Sequence, residues 1–280
     1  MGSNRNRIAV VAPSCRIAPE TAERAGRLAA ELRPGVELVF HPQCFLSDGH
    51  FAGPDAARAA AFVEAANDPS FGAVWFARGG YGSNRLLEAV MPQLGPAARE
   101  KAYLGYSDGG FLLAALYGAG FEDLAHGPMV QDIVRDGGEA AIARALAWLT
   151  ERDAASLEPS VPLAEKTAAF NLVVLSQLVG TPWQPDLSGH VLMVEEVSEH
   201  MYRIDRHLFH VTSNPAMRRL AGLRLGRCTL IPENDPEFGR TEEEVARYWC
   251  ERSGIPWLGR ADIGHDAQNK VVPLGATSPR

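Results

Sequence analysis

The sequence predicts an α/β protein of two domains, in which an N-terminal domain built on a parallel sheet precedes a smaller, mixed α+β C-terminal domain. Three observations favour this class. Short apolar runs alternate with helical patterns through the first half, the second half is less regular, and a stretch without periodicity separates the two. The length of 280 residues is enough for one large domain or two small ones.

The first half consists of short apolar runs, each followed by a longer segment with apolar residues at helical spacing. Strands and helices that alternate in this way predict βαβ units with right-handed crossovers, as in flavodoxin-like and Rossmann-like domains. The predicted strands are residues 8–12, 36–40, 72–76 and 102–106, and the predicted helices are residues 19–32, 54–66, 84–90, 109–117 and 136–150.

Residues 151–166 lose the helical periodicity and contain Pro159 and Pro162, which is typical of a linker. We therefore expect an N-terminal domain at residues 1–150 and a C-terminal domain at residues 167–280. In the second domain the patterns predict helices at 171–178, 202–209 and 241–252, and strands at 191–195, 228–231 and 271–274.

The composition excludes several classes of function. Lys and Arg number 27 against 34 Asp and Glu, and the basic residues are scattered, so we expect no nucleic-acid partner. The four cysteines form no CxxC pair and no zinc-ligand cluster, so we expect reduced thiols and no metal. No apolar run is long enough for a signal peptide or a membrane span, which predicts a cytoplasmic protein without a membrane partner.

The strongest local motif is Gly105-Tyr106-Ser107-Asp108-Gly109, which matches G-x-S-x-G between a predicted strand and a predicted helix. In a sharp strand-to-helix turn the serine hydroxyl rises above the sheet, and the small glycines relieve crowding. The first amides of the helix are then free to face an oxyanion. An ordinary turn with a serine N-cap is the alternative.

A glycine-rich loop at residues 78–82 (RGGYG) follows the third predicted strand. In a parallel sheet this loop opens at the same carboxyl edge as Ser107, and glycine lets the backbone approach a ligand closely. The amides of Gly80 and Asp108 are therefore candidates for an oxyanion hole. A nucleotide-binding loop is disfavoured because the G-x-G-x-x-G pattern fails at its last glycine. A tight structural turn is the other alternative.

A nucleophilic serine needs a base, and the base needs a carboxylate that orients it. Among eight histidines, His265 lies in a loop after a glycine, and His126 lies where it would line a cleft. Glu195 and Glu196 end a predicted strand and point to opposite faces, so only one of them can serve. Spacing does not choose between the two, and a solvated strand end is the plain alternative.

Together these segments resemble the LD-carboxypeptidases, the murein tetrapeptide carboxypeptidase family of serine peptidases, whose relatives include the microcin C immunity peptidases. The similarity covers nearly the whole chain and keeps the motifs in order, which makes it specific. The matching segments are IAVVAPS at 8–14, FAG at 51–53, ARGGYG at 77–82, GYSD at 105–108, HGPM at 126–129, GTP at 180–182, YRIDR at 202–206 and GH at 264–265.

The resemblance implies a Ser–His–Glu triad on Ser107, His265 and Glu195, where Glu195 is selected because the family's glutamate precedes an acidic residue. It also implies an active site in the cleft between the two domains, no metal or cofactor, and a homodimer. The implied reaction is hydrolysis of an L,D-peptide bond that releases a C-terminal D-alanine from murein tetrapeptide in peptidoglycan recycling.

Two departures from the family pattern bear on the shape of the pocket. A Gly-Gly pair at 109–110 follows the Ser-Asp pair, and alanines at 168–169 replace glycines that often precede the equivalent asparagine. Arg78, Tyr81 and His126 are candidates for substrate contacts only as neighbours of the cleft.

Three other interpretations stay open. One is an immunity-type peptidase that cuts an aminoacyl-nucleotide amide. Another is an α/β-hydrolase esterase, which the G-x-S-x-G motif alone suggests and which predicts a single large sheet. The third is a non-catalytic protein that binds cell-wall peptides, which predicts that a fluorophosphonate leaves Ser107 unlabelled.

Overall fold

Two β-sheets form the framework of the computed structural model, which describes residues 6–161 and 165–276. The strands are β1 (Arg7–Val11), β2 (Glu37–Phe40), β3 (Ala73–Phe76), β4 (Ala102–Gly105), β5 (Leu124–His126), β6 (Lys166–Asn171), β7 (Val191–Val197), β8 (Gly222–Thr229), β9 (Trp257–Arg260), β10 (Val272–Pro273) and β11 (Gly275–Ala276). The α-helices are α1 (Pro19–Leu32), α2 (Asp55–Asn67), α3 (Leu87–Val90), α4 (Pro96–Arg99), α5 (Gly110–Gly118), α6 (Gly138–Glu151), α7 (Leu172–Leu178), α8 (Met201–Ser213) and α9 (Glu242–Ser253).

The first sheet has the order β10-β5-β4-β3-β1-β2, and each neighbouring pair is parallel except β10 with β5. Helices cover both faces, so the central strands are apolar on both sides. Ile8 and Val10 pack with α1 and α6 on one face, whereas Ala9 and Val11 pack with α2 and α5 on the other. This topology brings the loops after β3 and β4 to one edge of the sheet.

The second sheet has the order β11-β6-β7-β8-β9 and is parallel except where β11 pairs with β6. The domains are packed together where α5 meets β6 and α7, because Gly110 lies against Val174 and Phe170. The end of the chain also joins the sheets, since β10 pairs with β5 in the first sheet and β11 pairs with β6 in the second.

The predicted α/β class is confirmed, but several elements differ from their predictions. Strands β5, β6, β9 and β11 were not predicted. The helix predicted from residue 171 begins at Leu172, because Asn171 ends β6 and its side chain caps the helix by accepting a hydrogen bond from Val174 N. The helix predicted at 84–90 is a 3-10 turn followed by the single turn α3. The strand predicted at 228–231 overlaps only the end of β8. Glycine and arginine residues conceal the apolar pattern in the first half of that strand.

The chain passes from the first sheet to the second between α6 and β6. Helix α6 ends at Glu151 and β6 begins at Lys166, whereas residues 162–164 of the predicted linker lie outside the described residues. The strand predicted at 271–274 is the short β10, which belongs to the first sheet, and the unpredicted β11 follows it in the second sheet. Two sheets rather than one large sheet make the α/β-hydrolase interpretation wrong.

No helix in the described ranges is long and apolar enough to cross a membrane.

Packing at the carboxyl end of β4 can be tested with a glycine substitution. A Cβ at Gly105 would lie 2.3 Å from Cδ2 of the buried Phe76 ring, so Gly105→Ala forces this core apart. We expect the free energy of unfolding in urea to fall by about 1–3 kcal/mol. The control Gly26→Ala lies in α1 with no atom within 4 Å of its new Cβ, and it should leave stability unchanged or raise it. Equal stability of both variants would contradict this account.

Candidate active site

Ser107 lies on a strained turn directly after β4. Its φ angle is 56°, a left-handed conformation that non-glycine residues rarely adopt and that is often found at functional sites. The turn is closely packed, because a Cβ at Gly109 would lie 2.6 Å from the Phe76 ring and a Cβ at Gly79 would lie 2.9 Å from Ser107 Oγ. The strand-to-helix turn that the G-x-S-x-G motif predicts is therefore present, with small residues where the backbone is crowded.

The Ser107 hydroxyl is hydrogen-bonded to a histidine from the other domain. His265 Nε2 lies 3.0 Å from Ser107 Oγ, and His265 Nδ1 lies 2.5 Å from Glu195 Oε2. Glu195 is completely buried in β7. Three residues that lie far apart in the sequence thus form one line of hydrogen bonds, in the order serine, histidine, carboxylate.

The environment of His265 favours its protonated form. Burial lowers the pKa of His265, but the negative charge of Glu195 and the hydrogen bond to it outweigh burial, so the pKa is raised above its ordinary value. The Tyr106 ring lies 4.9 Å from the His265 ring, centroid to centroid, and the Tyr106 hydroxyl donates a 2.9 Å hydrogen bond to Asp132. Tyr106 therefore supports the imidazole from the side of the first domain.

Glu196 points away from His265 and is bound to the start of α7. Its carboxylate accepts hydrogen bonds of 2.9 Å each from Asn171 Nδ2, Val173 N and Val197 N. Burial raises the pKa of Glu196 to about 7, although the hydrogen bonds from Val197 and Asn171 act in the opposite direction. The two adjacent carboxylates thus lie on opposite sides of β7, and only Glu195 reaches the histidine.

The loop that carries His265 is held by residues that sequence reasoning missed. Arg227 on β8 donates hydrogen bonds of 2.5 Å to both Asp262 and Asp266, and Gly264 N donates to Asn269 Oδ1. Arg227 lies within a strand, and its charge there is the signal that could have indicated an ion pair with the neighbouring loop.

The two amides proposed for the oxyanion hole line the same cleft as Ser107. In the described part of the chain, neither Gly80 N nor Asp108 N donates to a protein acceptor. Gly80 has a φ of 113° and lies so close to Cys15 Sγ that a Cβ would be 2.3 Å from the sulfur. The Asp108 carboxylate accepts hydrogen bonds from Ser14 Oγ and Ser83 N, which ties the serine turn to the glycine-rich loop.

The other three candidates differ in position. Tyr81 lines the cleft and is half exposed. Arg78 is exposed, donates to the Arg16 carbonyl and does not line the cleft. His126 is buried behind the Tyr106 ring, and burial lowers its pKa to about 4. The expectation that His126 lines the cleft is therefore wrong, because β5 turns the imidazole into the protein interior.

The cleft between the domains has a volume of about 530 Å³. The Gly-Gly pair at 109–110 does not shape it, because Gly109 faces Phe76 and Gly110 faces the second domain. Phe111 from α5 and Trp183 from the loop after α7 do line it. Within residues 6–161 and 165–276, no group of His, Cys, Asp and Glu side chains is arranged to hold a metal ion.

Comparison with known proteins identifies the family of the chain. The sequence profile of the LD-carboxypeptidase N-terminal domain matches residues 8–127, and that of the LD-carboxypeptidase C-terminal domain matches residues 167–278. The chain belongs to the LD-carboxypeptidase family. The murein tetrapeptide carboxypeptidase of Pseudomonas aeruginosa is 26% identical over 97% of this chain and 92% of its own length. A Synechocystis protein named as a carboxypeptidase is 31% identical over 86% of this chain and 80% of its own length.

Solved structures share the two-domain LD-carboxypeptidase fold. The muramoyltetrapeptide carboxypeptidase of Oxalobacter formigenes superposes with a TM-score of 0.78 at 25% identity, covering 96% of this chain and 92% of that chain. The microcin C7 self-immunity protein MccF superposes with a TM-score of 0.80 at 20% identity, covering 98% of this chain and 92% of that chain. At that identity MccF shares the fold alone.

The charge on Glu195 should control the titration of His265. Glu195→Gln removes the hydrogen-bonded negative charge that raises the pKa of His265, so this pKa should fall. Glu196→Gln removes a charge that does not touch the imidazole, so the pKa should fall less. Titration of the His265 ring by NMR in both variants and the parent measures the two changes. Equal decreases would show that the direct contact is not the cause.

Proposed function

We propose that this chain is a serine carboxypeptidase that cleaves an L,D-peptide bond and releases a C-terminal D-alanine from murein tetrapeptide. The hydrogen-bonded line Ser107–His265–Glu195 at the cleft supports this proposal more than any other observation. Membership of the LD-carboxypeptidase family and the named substrate of the Pseudomonas relative support the choice of bond.

In the proposed reaction Ser107 Oγ attacks the carbonyl carbon of the scissile bond while His265 Nε2 accepts its proton. Glu195 holds the imidazole with Nε2 toward the serine and stabilises the imidazolium that forms. His265 then gives the proton to the leaving amine, and D-alanine departs. Water attacks the acyl-enzyme, again with His265 as base, and restores Ser107.

The oxyanion of each tetrahedral intermediate is assigned to the amides of Gly80 and Asp108. Both residues line the cleft, and neither amide donates to a protein acceptor among the described residues. Donors that are fixed before the reaction stabilise the developing charge without reorganisation, and loss of one donor typically costs about 10²–10³ in rate. The strained Ser107 turn and the Asp108 hydrogen bonds hold these groups in place.

The raised pKa of His265 sets the expected pH dependence. Only the neutral imidazole accepts the serine proton, so kcat/KM should rise as the pH rises through this pKa.

We also propose that the protein acts in the cytoplasm as a homodimer, in accordance with the resemblance of its motifs to the family.

Substitution of the serine tests the mechanism directly. We expect Ser107→Ala to lower release of D-alanine from murein tetrapeptide by about 10⁴ or more, because the nucleophile is lost. Glu195→Gln should lower kcat by about 10³–10⁴ because the imidazole loses its orienting charge. Glu196→Gln should cost much less, because that carboxylate does not contact His265. D-Alanine is measured by mass spectrometry, with near-UV circular dichroism to confirm folding.

Two outcomes would contradict the proposal. Retained turnover in Ser107→Ala would exclude the serine mechanism, and equal loss in the two glutamate variants would refute the choice of carboxylate. A peptidyl-nucleotide amide is assayed in parallel with the tetrapeptide. Hydrolysis of the nucleotide substrate alone would assign the chain to an immunity-type activity instead.

A further inference from the structure

One oxygen of the triad carboxylate has no partner in the described part of the chain. Glu195 Oε2 is hydrogen-bonded to His265, whereas Glu195 Oε1 is buried and contacts no donor among the residues that the structure describes. Because a buried carboxylate oxygen without a hydrogen bond is costly, proteins nearly always supply such an atom with a donor. The donor for Glu195 Oε1 therefore has to be found.

Two more buried polar atoms lie close to this carboxylate and are also unpaired. His126 Nε2 and Asn269 Nδ2 have no hydrogen-bond partner within the described ranges, although only 1% of His126 and 0% of Asn269 is exposed. Asn269 is anchored by its other side-chain atom, since Oδ1 accepts a hydrogen bond from Gly264 N. Its Nδ2 is thus held in place with its protons directed elsewhere.

The side chains of these three atoms meet beside the catalytic histidine. The Tyr106 ring contacts both imidazoles, with its centroid 5.5 Å from that of His126 and 4.9 Å from that of His265. Burial lowers the pKa of His126 to about 4, and both Glu195 and Asn269 act on it in the opposite direction. Both side chains therefore lie beside the His126 ring.

Strand pairing explains why His126 reaches the carboxylate. Val272 of β10 is the register partner of His126 in β5, so both side chains leave the first sheet on the same face. Val272 packs in one apolar group with Met193, which lies two residues before Glu195 on the same face of β7. The imidazole of His126 thus approaches Glu195 from the first domain.

One water molecule satisfies all three atoms. A water offers two protons and two lone pairs, so it donates to Glu195 Oε1, accepts from Asn269 Nδ2 and forms a third hydrogen bond with His126 Nε2. Buried waters typically make about three hydrogen bonds to polar groups that lack a protein partner. The donor set here has this number and this chemistry.

We infer that Glu195 Oε1, His126 Nε2 and Asn269 Nδ2 share one buried water molecule, and that His126 and Asn269 act through it as positioning residues. The inference rests on the proposed function, since it adds residues to that same site. The water fixes one oxygen of the carboxylate while the other holds the imidazole. The His265 ring therefore keeps its orientation toward Ser107.

Loss of the water should raise the pKa of His265. The carboxylate depends on this donor most when the imidazole is neutral, because a protonated imidazole itself neutralises the negative charge. Without the donor, the carboxylate holds the imidazole proton more tightly. The other charged groups around the ring stay in place, namely Glu196, Asp132, Asp266 and Arg227.

Variants of His126 test the inference through the reactivity of Ser107. His126→Phe keeps an aromatic ring in the core but removes Nε2, whereas His126→Gln puts a polar amide near the position of Nε2. We expect fluorophosphonate labelling of Ser107 to be about tenfold to a hundredfold slower in His126→Phe and largely restored in His126→Gln. The midpoint of the pH profile of labelling should rise by about 0.5–1 pH unit in His126→Phe.

Asn269→Asp tests the same water from its other side. The substitution is isosteric and keeps the oxygen that accepts from Gly264 N, but it replaces the donor Nδ2 by an acceptor. We expect labelling of Ser107 to slow and the pKa of His265 to rise, as in His126→Phe. Titration of the His265 ring by NMR measures this pKa without any substrate.

His190→Phe is the matched control. His190 is as deeply buried as His126, with 1% of each residue exposed. Its Nε2 is hydrogen-bonded to the Tyr117 hydroxyl, and it does not line the cleft. This variant should lose comparable stability in urea but keep the labelling rate and the pH profile of the parent.

A high-resolution crystal structure locates the water. We expect an ordered oxygen within about 2.6–3.2 Å of all three atoms in the parent and its absence in His126→Phe. Direct contacts among the three side chains with no water between them would overturn the inference. So would the parent's labelling rate and pH profile in both His126→Phe and Asn269→Asp.

Fluorophosphonate labelling needs no natural substrate, so it separates this inference from the proposed function. Labelling that depends on His126, in a protein that releases no D-alanine from murein tetrapeptide, would support the inference and refute the proposed function. D-Alanine release together with unchanged labelling in the His126 and Asn269 variants would do the reverse. Neither labelling nor D-alanine release in the parent would refute both.

Discussion

Ser107 is paired with a base only because two separately built domains are held in register across one cleft. The serine lies after β4 in the first domain, whereas Glu195 and His265 come from the second half of the chain. A hydrogen bond of 3.0 Å between Ser107 and His265 allows little relative movement of the domains. The packing of α5 on α7 and the short strands β10 and β11, which join both sheets, supply this restraint. The pairing at the site thus depends on the same contacts that hold the fold together.

The buried charges at the end of β7 follow from that arrangement. A buried carboxylate is costly unless it is paired and hydrogen-bonded. Glu195 meets this requirement through His265, and Glu196 meets it through Asn171 and the amides of Val173 and Val197. Because successive strand residues face opposite sides, one pair of adjacent glutamates serves both the histidine and the start of a helix. The chemistry and the local structure of this strand end are therefore linked.

Much of the fold and part of the site could be predicted from the sequence. Strong apolar periodicity located the central strands and most long helices, and the G-x-S-x-G motif located the Ser107 turn. The family resemblance supplied His265 and the preference for Glu195, which spacing had left open. Geometry now places Glu195 beside the imidazole. The supporting residues Tyr106, Asp132 and Arg227 were not predicted, because a polar side chain in a strand or turn shows its partner only after the chain has folded. The prediction for His126 was wrong because the sequence did not reveal the short strand β5, which carries this side chain into the protein interior.

The central claim is that His265, from the second domain, activates Ser107 in the first. Covalent labelling with a fluorophosphonate, followed by peptide mapping in a mass spectrometer, tests it most directly, because the probe reacts with an activated serine without a natural substrate. The account predicts a single adduct on Ser107, formed about 10²–10⁴ times more slowly in His265→Ala. An adduct on another residue, or labelling of Ser107 at the same rate without His265, would contradict it.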